Sequence, residues 1–305
     1  MTEITQQVPL KRRILAHIKL ADPITWNAPL LMCICGALAS GKFDTSSLSQ
    51  WGWVLLGALM IGPLCTGFSQ SINDYFDRDL DAINDPSRPI PAGEVTLFEA
   101  QINWIILGVA TLLVSLIFAK LLIVVLAILG LILSAAYSVP PIKLKKHYWL
   151  GPPSVGLGYV VFSWCVGHLI LTSLTWQSLL VATVNGGIAV GLLFLNDIKS
   201  VEGDRKLGLK SLPVELGIHR TLLISYAVIN LSLVALLLVA LFWGNLWVTG
   251  VVFLALLVQA FTQVKLYQSP THHSFKHYIL SNNAFVIVVQ FISAFVVGGY
   301  FNQVK

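Results

Sequence analysis

The 305-residue chain is 56% hydrophobic and 11% charged, with a mean hydropathy of +0.79, which excludes a soluble globular domain and a disordered chain and puts it in the membrane class. The net charge of +5 does not mark a nucleic-acid binder, because the basic residues are spread over loops rather than gathered on one soluble face. The cysteines, Cys33, Cys35, Cys65 and Cys165, fall in apolar stretches without metal-type spacing and read as packing residues.

Along the chain, residues 1–21 form a polar, basic tail, so no cleavable signal peptide is expected and the N-terminus is expected to stay cytoplasmic. A transmembrane helix needs about 20 mainly apolar residues. Nine stretches qualify, at approximately 24–41, 51–72, 98–119, 121–139, 152–173, 177–195, 221–243, 246–264 and 279–300. The basic residues give them an orientation, since cytoplasmic loops are enriched in Lys and Arg. The tail (Lys11, Arg12, Arg13, Lys19) and the loops after stretches two, four, six and eight hold sixteen of the nineteen, and only Lys42, Lys120 and Lys305 fall on the other side. The expected fold is therefore an all-α integral membrane protein of nine transmembrane helices in one domain, 1–305, with a cytoplasmic N-terminus.

Eleven of the fourteen acidic residues lie in two of the basic loops: Asp74, Asp77, Asp79, Asp81, Asp85, Glu94 and Glu99 after the second stretch, and Asp197, Glu202, Asp204 and Glu215 after the sixth. Acids concentrated where bases are the norm ask for a bound cation. If the second helix continues, Asn73, Asp77 and Asp81 share one face at i, i+4 and i+8. Stacked oxygen groups of this kind suit magnesium, which prefers carboxylates together with substrate phosphates. The second run, Asn196 to Arg205, puts Asp197 and Asp204 seven apart, on nearly one helical face unless Gly203 interrupts it. Each run follows an apolar helix and is followed fourteen or fifteen residues later by a cation, Arg88 or Lys210, then a proline turn and a glycine. This faint repeat would bring two acid faces to one mouth of a bundle. Arg88, Lys143, Lys145, Lys146, Arg205, Lys206 and Lys210 interleave with the acids and offer charge for a diphosphate, Arg88 in a bidentate manner. The alternative for any of these is an ordinary positive-inside cation.

These residues resemble the intramembrane prenyltransferases of the UbiA superfamily, through the Asn-Asp-x-x-Asp-x-x-x-Asp signature at Asn73 to Asp81 and a second acidic motif. Within it the chain is similar to the chlorophyll and bacteriochlorophyll synthases, through Pro23–Trp26, Gly62–Leu64, Asn73–Gly93, Tyr137–Lys145 and Asn196–Val214. Residues beyond about 217 resemble the family only in hydropathy. The resemblance implies nine helices around a central cavity open sideways to lipid and capped by the motif loops. It also implies transfer of geranylgeranyl or phytyl from its diphosphate to the C17 propionate of a chlorophyllide or bacteriochlorophyllide.

On that resemblance the metal ligands are Asn73, Asp77, Asp81, Asp197 and Asp204, the cofactor is magnesium, and the diphosphate is gripped by Arg88, Lys143, Lys145, Arg205 and Lys210. Asp77, Arg88, Tyr137, Lys143 and Lys210 carry the chemistry. Many relatives have Asp-x-x-x-Asp as the second motif, whereas the matching positions here are Ser200 and Asp204, with Asp197 available one turn earlier. Tyr137, Trp26 and Phe76 are candidates for an aromatic face toward a cationic prenyl fragment. A propionate is already ionised at neutral pH and needs no general base, in keeping with motifs that have no adjacent histidine. His168, inside the fifth stretch, could touch a tetrapyrrole or be a packing residue. Rival readings are another UbiA-type enzyme with a haem, quinone-precursor or glycerol-lipid acceptor and, more remotely, a cation-coupled transporter. The expected setting is a cytoplasmic or photosynthetic membrane with the motif loops on the cytoplasmic side. Protein partners cannot be read from the sequence.

Overall fold

The computed structural model describes residues 10–300 except residue 207, with all of their side chains except those of residues 10, 84, 200 and 272. Lys305 therefore lies outside the described residues, as does the side chain of Ser200. Among them there is no β-strand, and the fold is helical throughout. Among the described residues eight helices are long and apolar enough to cross a bilayer, and the stretch expected at 24–41 is a shorter apolar segment, Pro23–Ala39. This is an all-α integral membrane protein.

The chain divides into two compact units, one comprising the chain up to Asn27 together with Leu59–Lys143, the other Ala28–Ala58 together with the chain from Leu144 onward. The first unit contains α1 (Leu10–Leu20), a π-helical turn (Met60–Thr66) leading into α4 (Gly67–Asn84), then α5 (Leu97–Ile117) and α6 (Leu121–Ser138); α2 (Asn27–Ala39) and α3 (Leu48–Leu59) belong mainly to the second. Pro63 explains the π turn. It has no N–H and its ring would strike the carbonyl four residues back, so the helix widens, and the Thr66 hydroxyl donates to the Ile61 carbonyl at 2.9 Å.

The helix then continues unbroken, and the whole run Leu48–Ile83 is 36 residues long. At 1.5 Å per residue this is about 54 Å, well beyond a hydrocarbon core of roughly 30 Å. Its last turns carry the acids, whose charges are costly inside hydrocarbon. Thr96 caps α5, accepting from the Glu99 amide while the Glu99 carboxylate takes the Thr96 N–H, a reciprocal box that satisfies two orphan donors. Apolar side chains on α5 and α6, among them Ile105, Ile106, Leu113, Leu121 and Ile132, are exposed and face the lipid tails.

The second unit continues with α7 (Gly151–Val155), a π-helical stretch (Gly156–Phe162), α8 (Ser163–Leu171), α9 (Trp176–Asn196), a 3-10 turn (Asp197–Ser200), α10 (Val201–Lys206), α11 (Leu212–Leu216), α12 (Ile218–Phe242), α13 (Leu246–Gln268) and α14 (His272–Val297). Lipid tails are as apolar as leucine, so helices in a membrane associate through close backbone approach and polar bonds. Both devices are used here. A Cβ on Gly36 would sit 1.9 Å from the Trp164 carbonyl oxygen and one on Gly167 1.8 Å from that of Cys33, so α2 and α8 touch backbone to backbone. Gly191 similarly admits α12, whose Ser225 hydroxyl donates to the Gly191 carbonyl at 2.5 Å. Farther along the chain, Asn230 and Gln263 exchange reciprocal amide bonds of 2.8 and 3.1 Å, and the Gln259 amide donates to the Tyr278 hydroxyl at 2.7 Å. His168 is fully buried with Nε2 3.1 Å from the Ser173 carbonyl oxygen.

Candidate functional site

The first acidic motif occupies the end of α4. Asn73, Asp77 and Asp81 lie along one side of that helix, and two of them are met by groups from the end of α6. The Ser138 hydroxyl donates to Asn73 Oδ1 at 3.1 Å, and Lys143 Nζ donates to Asp77 Oδ1 at 3.1 Å. Lys143 is brought there by a short turn in which its N–H donates to the Val139 carbonyl at 2.9 Å. Its φ of 38° is left-handed. That conformation costs a residue with a Cβ about 1–2 kcal/mol, so the surrounding structure holds it in place. Tyr137, half-buried, is the residue before Ser138.

Arg88 arrives by a different route. Asp85 turns the chain, accepting from the Ser87 N–H and hydroxyl, and these bonds hold its carboxyl below the usual carboxylate range. The turn lets the Arg88 guanidinium donate to Asp74 while standing 4.0 Å from Asp81. Asp74 is 3% exposed and Asp77 8% exposed, whereas Asp79 points out into water at 92%. The acids of the motif thus divide into inward residues paired with Arg88 or Lys143 and one outward residue, Asp79, beside Arg78 at 3.8 Å. Asp74 was not singled out from the sequence; the available signal was its seven-residue spacing to Asp81, which puts both on the Arg88 side of the helix.

Phe76 stacks on Trp104 of α5 at 6.1 Å and 7° and makes an edge contact with Tyr75. Its ring therefore packs on the α5 side, away from the α6 side where Asn73 and Asp77 are met. Trp26 donates its Nε1–H to the Ala21 carbonyl at 2.7 Å and so ties down the turn between α1 and α2.

In the second unit, the expected helical continuation past Asn196 is replaced by the 3-10 turn Asp197–Ser200, and α10 then passes straight through Gly203. Asp197 and Asp204 are half-buried and close enough for their charges to act on one another. Lys210 is drawn to the loop after α6 by a parallel backbone bridge to His147, next to the 3-10 turn Leu144–Lys146 that carries Lys145. Gly151 packs on the Lys145 backbone. Arg205 and Lys210 are exposed. The basic residues after α6 therefore part company: Lys143 pairs with Asp77 of the first motif, and Lys145 belongs to the turn that precedes the His147–Lys210 bridge.

The donor set fits magnesium. Among the described residues no three Asp, Glu, His or Cys side chains converge as a metal cage, but magnesium commonly keeps several waters and takes one or two carboxylates plus substrate phosphates. Asn73, Asp77 and Asp81 present such a set, as do Asp197 and Asp204.

The UbiA prenyltransferase family model matches residues 30–298. The chain belongs to that family. It is 33% identical over 268 residues to the bacteriochlorophyll synthase 34 kDa chain of Chloroflexus aurantiacus, covering 85% of this chain and 83% of that one. It is 36% identical over 227 residues to the chloroplastic chlorophyll synthase of Oryza sativa subsp. japonica, covering 71% of this chain and 59% of that one. Among solved structures, a UbiA homolog from Archaeoglobus fulgidus bound to GPP and Mg2+ superposes with a TM-score of 0.74 at 20% identity, covering 93% of this chain and 99% of that one, a likeness of fold. As a member of the family the chain is a prenyltransferase, and its relatives at this identity make it one of chlorophyll-synthase type.

Proposed function

We propose that the chain moves a geranylgeranyl or phytyl group from its diphosphate to the C17 propionate of a chlorophyllide or bacteriochlorophyllide, with Asn73, Asp77 and Asp81 as one metal-binding face and Asp197 with Asp204 as another. The observation that carries the reading is the pairing of inward acids with cations at the end of α4, Asp77 with Lys143 and Asp74 with Arg88. Such a surface accepts a magnesium diphosphate, because the acids suit the metal and the cations suit phosphate oxygens. Magnesium, when bound, supplies Lewis-acid stabilisation of the diphosphate oxygens.

The protein's own residues do the rest. Arg88 and Lys143 bind the diphosphate, and their charge gains most as the allylic C–O bond breaks and negative charge builds on the leaving oxygen. Lys145, Arg205 and Lys210 are the second unit's cations for the same ligand class. Tyr137, at the end of α6, offers a ring face to the prenyl cation. The ionised propionate attacks through oxygen without first losing a proton, and the products are the ester and diphosphate. In this reading the motif loops face the cytoplasm, in a cytoplasmic or photosynthetic membrane.

The reading is tested by incubating the purified protein with chlorophyllide or bacteriochlorophyllide and with geranylgeranyl or phytyl diphosphate, and separating the products by chromatography. A prenyl ester of at least one pigment is expected. Product only with a quinone precursor, haem or a glycerol lipid would move the chain to another acceptor class.

A further inference from the structure

Helix α1 is amphipathic in two directions. Its inner face, Ala16 and Leu20, is buried in a small apolar cluster with Val95 and Ala100, against which Tyr75 and Ile90 pack. Its polar side chains are tied to the chain that follows α4: Arg12 bonds Glu94 at 2.9 Å, Arg13 bonds Glu99, and Lys19 Nζ donates to the Ser87 carbonyl. Ser87 and Glu94 bracket Arg88, so these three links and the apolar cluster fasten α1 to the loop that delivers the guanidinium to Asp74.

The outer face remains. Ile14, Leu15 and Ile18 are 51%, 54% and 45% exposed. They form a stripe at i, i+1 and i+4, extended one turn earlier by Lys11, which is also exposed. The Arg13–Glu99 bond sets the level of α1 at the first turn of α5, where Leu97 and Phe98 are exposed apolar residues in their own right. The outer stripe of α1 thus continues the exposed apolar surface of α5 at its first turn.

A helix with apolar residues outward, basic residues along its flanks and its level at the end of a spanning helix has the properties of an interfacial helix. We propose that α1 lies in the headgroup layer of an anionic lipid surface, with Ile14, Leu15 and Ile18 in the acyl boundary, and that this seating holds the Arg88 loop. Lys11 meets lipid phosphates while its stem lies along apolar surface. The effect of lipid on prenyl transfer rests on the function proposed above; the seating of the helix does not.

Two measurements on the full chain separate these points. In the first, a nitroxide is placed at Leu15→Cys, in protein whose four native cysteines are replaced by alanine, reconstituted in phosphatidylcholine nanodiscs containing phosphatidylglycerol. The label should be relaxed by oxygen, which concentrates in hydrocarbon, and shielded from a water-borne nickel complex. The reverse order overturns the proposal. In the second, the double variants Leu15→Glu/Ile18→Glu and Leu15→Lys/Ile18→Lys are compared in the same nanodiscs. These side chains are exposed, so neither change disturbs the core. One surface charge near an anionic membrane is worth a factor of about five, so the Glu pair should raise the KM for the prenyl diphosphate at least that much while the Lys pair keeps the parent KM. Equal KM values for the two variants overturn the link between lipid and loop. Failure of the parent itself to form any ester would count against the prenyl-transfer reading and leave the nitroxide result to decide the seating.

Discussion

Asp74, Asp77, Asp79 and Asp81 follow one another within two helical turns, yet they meet three different fates. Asp79 is solvated, Asp77 is held by Lys143, and Asp74 and Asp81 share Arg88. The i, i+4, i+8 spacing made Asn73, Asp77 and Asp81 legible, because it depends only on the helix continuing. Asp74 escaped, because its role comes from the Asp85–Ser87 turn that swings Arg88 back fourteen residues, and nothing local predicts where such a turn points. Arg88→Lys replaces a fork that reaches two carboxylates with a point charge, and should raise the KM for the diphosphate about tenfold in steady-state assays. Asp74→Ala leaves a partly buried guanidinium without its main partner. It should cost about 1–3 kcal/mol, a loss moderated by the one-third exposure of Arg88 and read as a lower unfolding temperature in detergent.

Among the helices, hydropathy located the spans because about 20 apolar residues in a row suit little besides a bilayer crossing. It could not show the π turns at Met60–Thr66 and Gly156–Phe162, since Pro63 marks a disturbance without fixing its form. Nor could it show that the run after α9 tightens into a 3-10 turn before α10; the geometry of that second motif depends on tertiary packing that a spacing rule omits. The first helix was read only as a basic tail, because its charges concealed the apolar stripe of Ile14, Leu15 and Ile18. Close helix contact gives the sharpest prediction of this kind. A methyl group added at Gly167 would meet the Cys33 carbonyl oxygen at 1.8 Å, so Gly167→Ala should force α2 and α8 apart and destabilise by about 1–3 kcal/mol. Thr96→Ala, which removes the α5 cap, should cost about 1 kcal/mol. Thermal unfolding of the two variants against the parent checks both values, with the glycine variant expected to lose more.

For the whole molecule, composition alone placed the chain in the bilayer, and the charge distribution along it suggested which loops share a side. The acids then stood out against that background, which is why the first motif could be found without knowing its neighbours. The chemistry proposed for it needs a divalent cation. Chelation should therefore abolish ester formation and added magnesium should restore it, with product followed by chromatography; activity indifferent to chelation would contradict the metal role. The most direct test is Asp77→Ala, supplied with chlorophyllide, labelled geranylgeranyl diphosphate and magnesium in a reconstituted membrane. Losing this carboxylate removes the partner of Lys143 and a face of the metal site together, so labelled ester should fall about a hundredfold or more. Undiminished ester from the variant would contradict the assignment of this acidic face as the diphosphate site.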